Sequence, residues 1–397
     1  MNGVLIIDKP AGLTSHDVVN RVRRLLGQRS VGHLGTLDPM ATGVLPLVTG
    51  SFTRLAQFYV SSEKTYEGVI RFGFSTDTYD AEGEPTSEPL SVNLSREELE
   101  AHAAKFRGVI EQVPPPFSAK KIKGVPAYKL ARKHKEVVLK PVQVEIKEFE
   151  ILSVEADRAS FRARVASGTY MRSVAHDLGQ LLGCGAHLES LRRTSVAEFT
   201  LADAHTLDEL AEAAGNLTQQ TEESCADQSA APSGDRSEQT ISSREAAEEC
   251  SPRRKPWEQH EKDEEAPEGR KNLSQHAGKA PPQCNRGPND LRSVRRPDDT
   301  PFKRDDQRPA RMTESLDDLF VHPRKLLPQF PSVTADEQNA ARIRAGRAVN
   351  LPELSRARQV KVFAGQRNLI AIATRVAGTL FHAKLVLSGP EIPIRQV

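Results

Sequence analysis

The chain has 397 residues, of which 38% are hydrophobic and 27% are charged, and its formal net charge at pH 7 is +2. This length predicts two or three domains, and the low hydrophobic fraction indicates that part of the chain lies outside any packed core. The charge is too close to neutral to identify a nucleic-acid ligand by itself.

The four cysteines argue against a metal site or a disulfide framework. Cys184, Cys225, Cys250 and Cys284 form no Cys-x-x-Cys pair and have no histidine cluster beside them. We therefore expect no zinc site, and we expect the protein to reside in a reducing compartment. The chain opens without a basic region followed by an apolar stretch, and we expect no signal peptide. Because no apolar run reaches the roughly 18 residues of a membrane helix, we also expect no membrane span.

The first predicted helix begins at Thr14 or Ser15, either of which can cap it, and ends at Leu26 before Gly27. Its apolar face comprises Val18, Val22, Leu25 and Leu26. This face predicts that the helix packs against the body of the domain.

The next segment, from Gly32 to Pro46, reads Gly-His-Leu-Gly-Thr-Leu-Asp-Pro-Met-Ala-Thr-Gly-Val-Leu-Pro. Its glycines and prolines exclude one regular element, while its apolar residues predict packing against the body. A structured loop with one carboxylate, Asp38, and one histidine, His33, is typical of an active site. The residues alone favour a simpler interpretation, in which Asp38 begins a turn, because Asp-Pro favours turns.

Two later elements carry candidate residues. Alternating buried positions predict a strand that begins at Tyr66, so Tyr66 by itself is interpreted as a core aromatic. A second helix is predicted to begin near Thr169 or Tyr170 and to end before Gly183. Arg172 lies in its first turn, where the helix dipole disfavours a cation, so we expect a carboxylate partner.

Composition divides the chain into three parts. Residues 1–214 have the strand and helix patterns of a globular domain. Residues 215–314 are rich in Gln, Glu, Ser, Pro, Arg and Asp, which predicts a disordered insertion. Residues 315–397 regain apolar patterning and predict a small β-rich domain. Its expected elements are a helix-containing unit at Ser332–Gly346 and strands at Val360–Ala364, Leu369–Ala373 and Leu380–Leu387.

The segment from Gly32 to Pro46 closely resembles the central motif of the TruB family of tRNA pseudouridine synthases, which act on uridine 55 in the T-loop. Further segments resemble motifs of that family in the same order along the chain: Asp8 to Ser15, Lys64 to Asp80, Gln112 to Arg132, and Gly168 to Thr194. The resemblance covers residues 2–210 and resumes more weakly at about residue 316.

The resemblance implies an α/β (α+β) pseudouridine-synthase fold with a mostly antiparallel sheet, followed by a PUA-like C-terminal domain that helps to hold RNA. It implies an isomerase that flips uridine 55 out of tRNA, breaks its glycosidic bond and rejoins the base through carbon 5. We expect no cofactor and no metal, the tRNA T-arm as partner, no required protein partner, a monomer, and a cytoplasmic location.

The resemblance also assigns site residues. Asp38 is the catalytic carboxylate, and Arg172 is its cation, which opposes protonation of Asp38 in a closed pocket. Tyr66 stacks on the uracil and completes the catalytic set. Substrate-binding positions are His33, which braces the space that the flipped base leaves, Tyr170, Leu191, Lys64 and Lys9. From the residues alone, His33 could instead stabilise the loop, and Tyr170 and Leu191 could belong to the core.

Many cations of the first domain are expected at its surface, where they would contact phosphates. The same pattern is common on solvated basic faces. The expected surface cations are Arg21, Arg23, Arg24, Arg29, Lys120, Lys121, Lys123, Lys129, Arg132, Lys133, Lys135, Arg192 and Arg193, with Lys120 to Lys135 as a clamp on the tRNA arm.

Two alternatives remain at this point. One is a non-catalytic tRNA-binding or tRNA-folding chaperone that uses the same basic surface. The other is a guide-RNA-dependent relative of the dyskerin type, which is disfavoured because Phe117 to Arg132 resembles the stand-alone bacterial form.

Overall fold

The computed structural model describes residues 1–118, 120–122, 124–127, 130, 139–215, 315–353 and 355–387. The described residues together belong to one compact unit. Apart from residue 215, the predicted insertion lies outside the described residues.

The first domain is built on one large sheet that, in the described part of the chain, runs in the order β1-β3-β10-β4-β9-β8-β5 with β2 beside β3 and β11 beside β10. Its strands are β1 (Gly3–Lys9), β2 (Val31–His33), β3 (Thr42–Thr49), β4 (Lys64–Phe72), β5 (Gly108–Gln112), β8 (Val142–Glu155), β9 (Arg158–Val165), β10 (Ala186–Val196) and β11 (Phe199–Thr200); β6 (Lys121–Ile122) and β7 (Val125–Pro126) form a separate hairpin. Its helices are α1 (Ser15–Leu25), α2 (Ala56–Tyr59), α3 (Arg96–Ala103), α4 (Met171–Leu181) and α5 (207–215).

Among the described strands the sheet is mostly antiparallel, as predicted, and β3 pairs with β10 in parallel. That contact pairs Thr42 with Arg192 and Gly43 with Arg193. Gly43 has a φ of +101°, and a Cβ built on it would lie 2.2 Å from the carbonyl oxygen of Arg193. Only glycine allows the two backbones to come this close.

Local sequence explains where α1 begins. The Thr14 hydroxyl accepts a hydrogen bond from the Asp17 N–H at 3.1 Å, and an Asp17 carboxylate oxygen accepts one from the Thr14 N–H at 2.9 Å. This reciprocal pair is a capping box, and Asp17 also complements the helix dipole. Val18, Val19 and Val22 are buried against the sheet, so the predicted apolar face is the packed one.

At β4 and β9 the sheet has one apolar face and one largely polar face. Along β4, Tyr66, Gly68, Ile70 and Phe72 are buried, while Glu67 points to the other side and accepts hydrogen bonds from Arg162 of β9. The period-2 alternation that predicted this strand therefore follows the division between core and solvent.

Residues 315–387 form a small β-rich C-terminal domain, as predicted. Its five-stranded sheet runs β12-β14-β15-β16-β13 and has a core of its own. Its elements are β12 (Ser332–Ala335), α6 (Glu337–Arg344), β13 (Val349–Asn350), β14 (Gln359–Ala364), β15 (Asn368–Ala377) and β16 (Leu380–Val386). The unit expected at Ser332–Gly346 thus contains a strand as well as a helix, because Val333 and Ala335 alternate as buried positions.

A buried polar cluster joins the C-terminal domain to the first. Glu198 accepts hydrogen bonds from the Tyr59 hydroxyl at 2.6 Å and from the Leu327 N–H at 2.8 Å. Lys361 of β14 donates to the carbonyls of Arg324 and Leu326 at 2.8 and 2.6 Å. The segment that precedes the second sheet is therefore held from both domains.

Candidate active site

Asp38 lies in the loop of residues 34–41 that connects β2 to β3. The N–H of Ala41 donates to the carbonyl of Asp38 at 3.1 Å, so Asp38 begins a turn. The simpler interpretation of the Asp-Pro sequence is therefore correct as local structure. Asp38 can begin a turn and also be the catalytic residue, because a turn residue lies outside the regular pairing of the strands and its carboxylate remains available.

Ser15 and Arg193 hold this loop from two sides. The Ser15 hydroxyl donates to the carbonyl of Leu37 at 3.1 Å and accepts from the Leu37 N–H at 2.8 Å. The fully buried guanidinium of Arg193 donates to the carbonyls of Gly35, Thr36 and Val44 at 3.1, 3.2 and 2.8 Å. A helix and a strand of the main sheet thus fix the backbone on both sides of Asp38.

Lys9, at the end of β1, is a third support. Its Nζ donates to the carbonyls of Pro10, Leu13 and Pro39 at 2.8, 2.6 and 3.1 Å, and the side chain is fully buried. Burial lowers the pKa of Lys9 to about 8, although the Asp38 carboxylate opposes that shift. All three N–H groups of the ammonium therefore have carbonyl partners, one of them next to Asp38.

Arg172 contacts Asp38 directly. Its Nε lies 2.9 Å from Oδ2 of Asp38, and its Nη2 donates to Oδ1 at 3.1 Å. The Arg172 side chain is 6% exposed and that of Asp38 is 35% exposed, so the carboxylate faces an open space while the guanidinium lies behind it. The carboxylate partner expected for a cation at this helix start is Asp38.

Asp80 is a second carboxylate on the same guanidinium, and it is not among the predicted site residues. Its Oδ2 lies 3.3 Å from Nη1 of Arg172, and its Oδ1 accepts from the Thr78 hydroxyl at 2.6 Å and from the Glu82 N–H at 3.1 Å. Asp80 is buried, whereas the four polar residues from Ser75 to Thr78 that precede it in the chain gave no hydrophobic signal of burial.

The balance of charges governs the protonation of Asp38. Burial raises the pKa of this carboxyl above its ordinary value, the charge of Arg172 opposes the rise, and the charge of Asp80 adds to it. Lys9 also favours the ionised form. Arg172 is thus the main influence that keeps Asp38 charged in a closed site.

Three predicted residues share the sheet face that the loop covers. Tyr66 of β4 pairs with Arg193 of β10, and Leu191 pairs with Gly68, so these side chains point to one face. Tyr66 is 8% and Leu191 7% exposed, and both belong to the main core. Lys64 precedes Tyr66 by two positions, and its Nζ donates to the carbonyl of Ser62 at 2.6 Å. Burial lowers the pKa of Lys64 to about 8.

Tyr170 and His33 are the remaining predicted site residues. Tyr170 is the residue immediately before α4, two positions before Arg172, and burial raises the pKa of its phenol. His33 ends β2, and its Nδ1 accepts from the Gly35 N–H at 3.3 Å. Burial, with the charge of Arg193, lowers the pKa of His33, which favours the neutral ring.

Two expected surface cations have other roles. The expectation was wrong for Arg193, which is fully buried and clamps the loop. Arg192 is partly buried and pairs with Asp8 through Nη2 and Oδ2 at 2.8 Å. The sequence showed two adjacent arginines, but strand geometry sends their side chains to opposite faces. Of the expected clamp, Lys120 to Lys135, residues 123, 128–129 and 131–135 lie outside the described residues.

Within the described residues no group of His, Cys, Asp and Glu side chains is arranged to hold a metal ion. The helices in that part of the chain include none that is long and apolar enough to cross a membrane.

Two family models match the chain. Residues 23–171 match the TruB family pseudouridylate synthase N-terminal domain, and residues 172–233 match the tRNA pseudouridylate synthase B C-terminal domain. The tRNA pseudouridine synthase B of Solibacter usitatus is 58% identical over 210 residues, which are 53% of this chain and 72% of that protein. The enzyme of the same name from Opitutus terrae is 49% identical over 208 residues, 52% of this chain and 86% of that protein.

Similar solved structures support the fold. A crystal structure of a Cbf5-Nop10-Gar1 complex contains a chain with a TM-score of 0.57 and 19% identity, and the match covers 98% of this chain and 85% of that one. A chain in the crystal structure of the archaeal box H/ACA sRNP Nop10-Cbf5 complex gives a TM-score of 0.55 at 18% identity, and the match covers 98% of this chain and 87% of that one. At this level of identity the likeness concerns the fold alone.

Proposed function

This chain belongs to the TruB family of pseudouridylate synthases and forms pseudouridine in tRNA, and we propose that it acts on uridine 55 of the T-loop with Asp38 as the catalytic carboxylate. The observation that carries the assignment of Asp38 is its pairing with the buried guanidinium of Arg172, in a loop fixed by three other elements. A surface turn would need none of these supports.

The reaction breaks the bond between the ribose and N1 of uracil and makes one to carbon 5. Asp38 acts while ionised, either as nucleophile or as the charge that stabilises an electron-poor sugar. Arg172 keeps it ionised and, with two contacts to one carboxylate, fixes its orientation. Because the product is an isomer of the substrate, we propose that no cofactor or metal takes part.

Access to the base requires that the uridine leave the stack of the T-loop. We assign Tyr66 to stack on the flipped uracil, and Leu191 and Tyr170 to line the pocket. Tyr66 and Leu191 share the sheet face beside the catalytic loop, and Tyr170 adjoins Arg172. His33, at the start of that loop, is assigned to the space that the base vacates.

The two lysines receive different assignments. Lys64 has one carbonyl partner for its Nζ, which leaves donors for the substrate. Lys9 has three carbonyl partners, so we assign it to the position of the loop rather than to a contact with RNA.

We propose the tRNA T-arm as the partner of both domains, with the C-terminal domain as a PUA-like module. The domain architecture that we propose is 1–214 for catalysis, 215–314 as an insertion and 315–397 for RNA. We further propose that the protein works as a monomer, without a protein partner, in the cytoplasm. The shared cluster at Glu198 supports a fixed arrangement of the two folded domains on one RNA.

The experiment is release of tritium from an unmodified tRNA transcript labelled at carbon 5 of uracil, compared between the wild type and Asp38→Asn. Carbon 5 must lose its hydrogen when it becomes the glycosidic carbon. Release by the wild type and none by the variant supports the proposal, and mapping of the product tests position 55. The assay contains no guide RNA, so release also excludes a guide-dependent enzyme. A wild type that binds tRNA without release would favour a chaperone.

A further inference from the structure

The start of α4 lacks a capping side chain of its own. Tyr170 occupies the capping position with an extended backbone, and its side chain makes no capping hydrogen bond. Arg172 follows in the first turn, where the helix dipole disfavours its charge. Arg172 must be placed accurately against a carboxylate, but the helix end on which it lies has no capping side chain of its own.

Gln112 supplies the missing anchor from another element. It is the last residue of β5, its backbone pairs with Val142 of β8, and it is buried. Its Nε2 donates to the carbonyl of Tyr170 at 3.1 Å, and its Oε1 accepts from the Tyr170 N–H at 2.8 Å. The amide of Gln112 therefore pairs with Tyr170 as a neighbouring strand would, and the main sheet fixes its position.

Two further bonds join the same segment to α4. The Ser173 hydroxyl donates to the carbonyl of Val113 at 2.8 Å, and Nη2 of Arg172 donates to the carbonyl of Phe117 at 3.0 Å. Nη2 is the nitrogen that also donates to Asp38. A displacement of α4 relative to the segment that begins at Gln112 would therefore move the guanidinium away from the carboxylate.

We propose that Gln112 is a positioning residue for the reaction: it fixes the start of α4 to the main sheet and so sets the contact between Arg172 and Asp38. The proposal rests on the proposed function, in which that contact is catalytic. Gln112 acts through the backbone of Tyr170. Its importance for activity therefore exceeds its importance for folding.

The alternative is that Gln112 only provides hydrogen bonds to buried backbone groups. The two roles predict different effects of a Gln112 substitution on the pKa of Asp38. The charged groups that act on Asp38 are Arg172 of α4, Asp80 of the loop after β4 and Lys9 of β1. The charge of Glu82 also interacts with that of Asp38. Arg172 is the strongest influence that lowers the pKa of Asp38. If Gln112 positions Arg172, its loss raises that pKa and moves the acid limb of activity to higher pH.

The test uses Gln112→Met, which keeps the size and removes both bonds, and Gln112→Leu, which also removes both bonds and adds no charge near Asp38. Tyr59→Phe is the matched control, because it removes both hydrogen bonds of one buried hydroxyl at the domain junction. Each protein is measured for single-turnover tritium release at saturating tRNA as a function of pH, for the Kd of tRNA, and for thermal stability. The Asp38 carboxyl is also titrated by carbon-13 NMR in the free protein.

We expect both Gln112 variants to lose rate by about tenfold to a hundredfold, as for a small misplacement of a catalytic group. Their Kd should stay within about threefold, a difference below about 1 kcal/mol. The NMR titration and the acid limb should both move to higher pH, while Tyr59→Phe lowers the stability and leaves both titrations and the rate at saturating tRNA unchanged. Rates and titrations that match Tyr59→Phe would overturn the proposal, as would a loss confined to Kd. The NMR titration needs no turnover, so it separates this result from failure of the proposed reaction.

Discussion

Asp38 and Asp80 share one guanidinium. Nε of Arg172 lies 2.9 Å from Asp38, and Nη1 lies 3.3 Å from Asp80. One cation thus meets two carboxylates, of which the first is partly open to solvent and the second is buried. The buried carboxylate orients the cation, and its negative charge also makes the ionisation of Asp38 harder.

Asp80→Asn should therefore have two separable effects. The rate at the pH optimum should fall by about tenfold or more, because the guanidinium loses one of its charged partners. The acid limb should move to lower pH, since removal of a neighbouring negative charge lowers the pKa of Asp38. The measurement is single-turnover tritium release across pH. An acid limb that moved to higher pH would show that Arg172 had left Asp38.

Ser15→Ala should weaken both the fold and the reaction. The substitution leaves the buried N–H and carbonyl of Leu37 without their side-chain partner, which destabilises the protein by about 1–3 kcal/mol. Because Leu37 precedes Asp38, the rate should fall as well. Urea unfolding and tritium release measure the two effects. Ser153→Ala, on the exposed side of the sheet, is the control and should change neither; an unchanged rate in Ser15→Ala would argue that the loop keeps its position without this clamp.

Gly43→Ala should be far more harmful than Gly27→Ala. Both glycines have positive φ, but the Cβ at Gly43 would overlap the Arg193 carbonyl, whereas nothing lies within 4 Å of a Cβ at Gly27. Backbone strain alone should destabilise Gly27→Ala by about 1 kcal/mol, and the added clash should bring Gly43→Ala above about 3 kcal/mol. Denaturant unfolding of both variants tests this, and equal losses would mean that β3 and β10 can separate without penalty.

Asp177→Asn should stabilise the protein at neutral pH. Burial on α4 raises the pKa of Asp177 to about 6, so the folded state favours the protonated form. At low pH the carboxyl is protonated in both the folded and the unfolded state, so it does not destabilise the fold. Its cost to the free energy of unfolding grows as the pH rises from the pKa of the unfolded state through about 6, the pKa of the folded state. The side chain is only partly buried, so we expect a gain on the order of 1 kcal/mol at about pH 8. The gain should be smaller at about pH 5; a gain independent of pH would point to packing instead.

The elements of the fold were largely predictable because their signals are local. The capping box at Thr14 and the alternation from Tyr66 to Phe72 place α1 and β4 without knowledge of the rest. The ends of α4 differ from the prediction by one or two residues, because the anchor of its first turn comes from Gln112, which lies 58 positions away from Tyr170. No periodicity within the helix reports such a partner.

The site was predictable in its centre and less so in its supports. The motif around Asp38 and the dipole argument at Arg172 led to one contact that the structure contains. Asp80 and Arg193 were not identified, because burial of a charged side chain depends on partners that other strands and loops provide. The roles assigned to Tyr66, Tyr170, Leu191, His33, Lys64 and Lys9 stay predictions until variants are assayed.

The residues on both sides of 216–314 pack in the same hydrophobic core. Before the segment these are Leu207, Leu210 and Ala213 of α5, and after it, where the described chain resumes, they are Leu316 and Leu319. The two ends of this segment are therefore anchored in one core, and for a connection between fixed ends the entropic cost of closure rises by only about 0.6 kcal/mol for each doubling of its length. In evolutionary terms, this junction is a position at which the gene can gain or lose many codons while natural selection on the catalytic core stays almost unchanged. Replacing the segment with a short linker would use the same tolerance to a change in length for protein engineering.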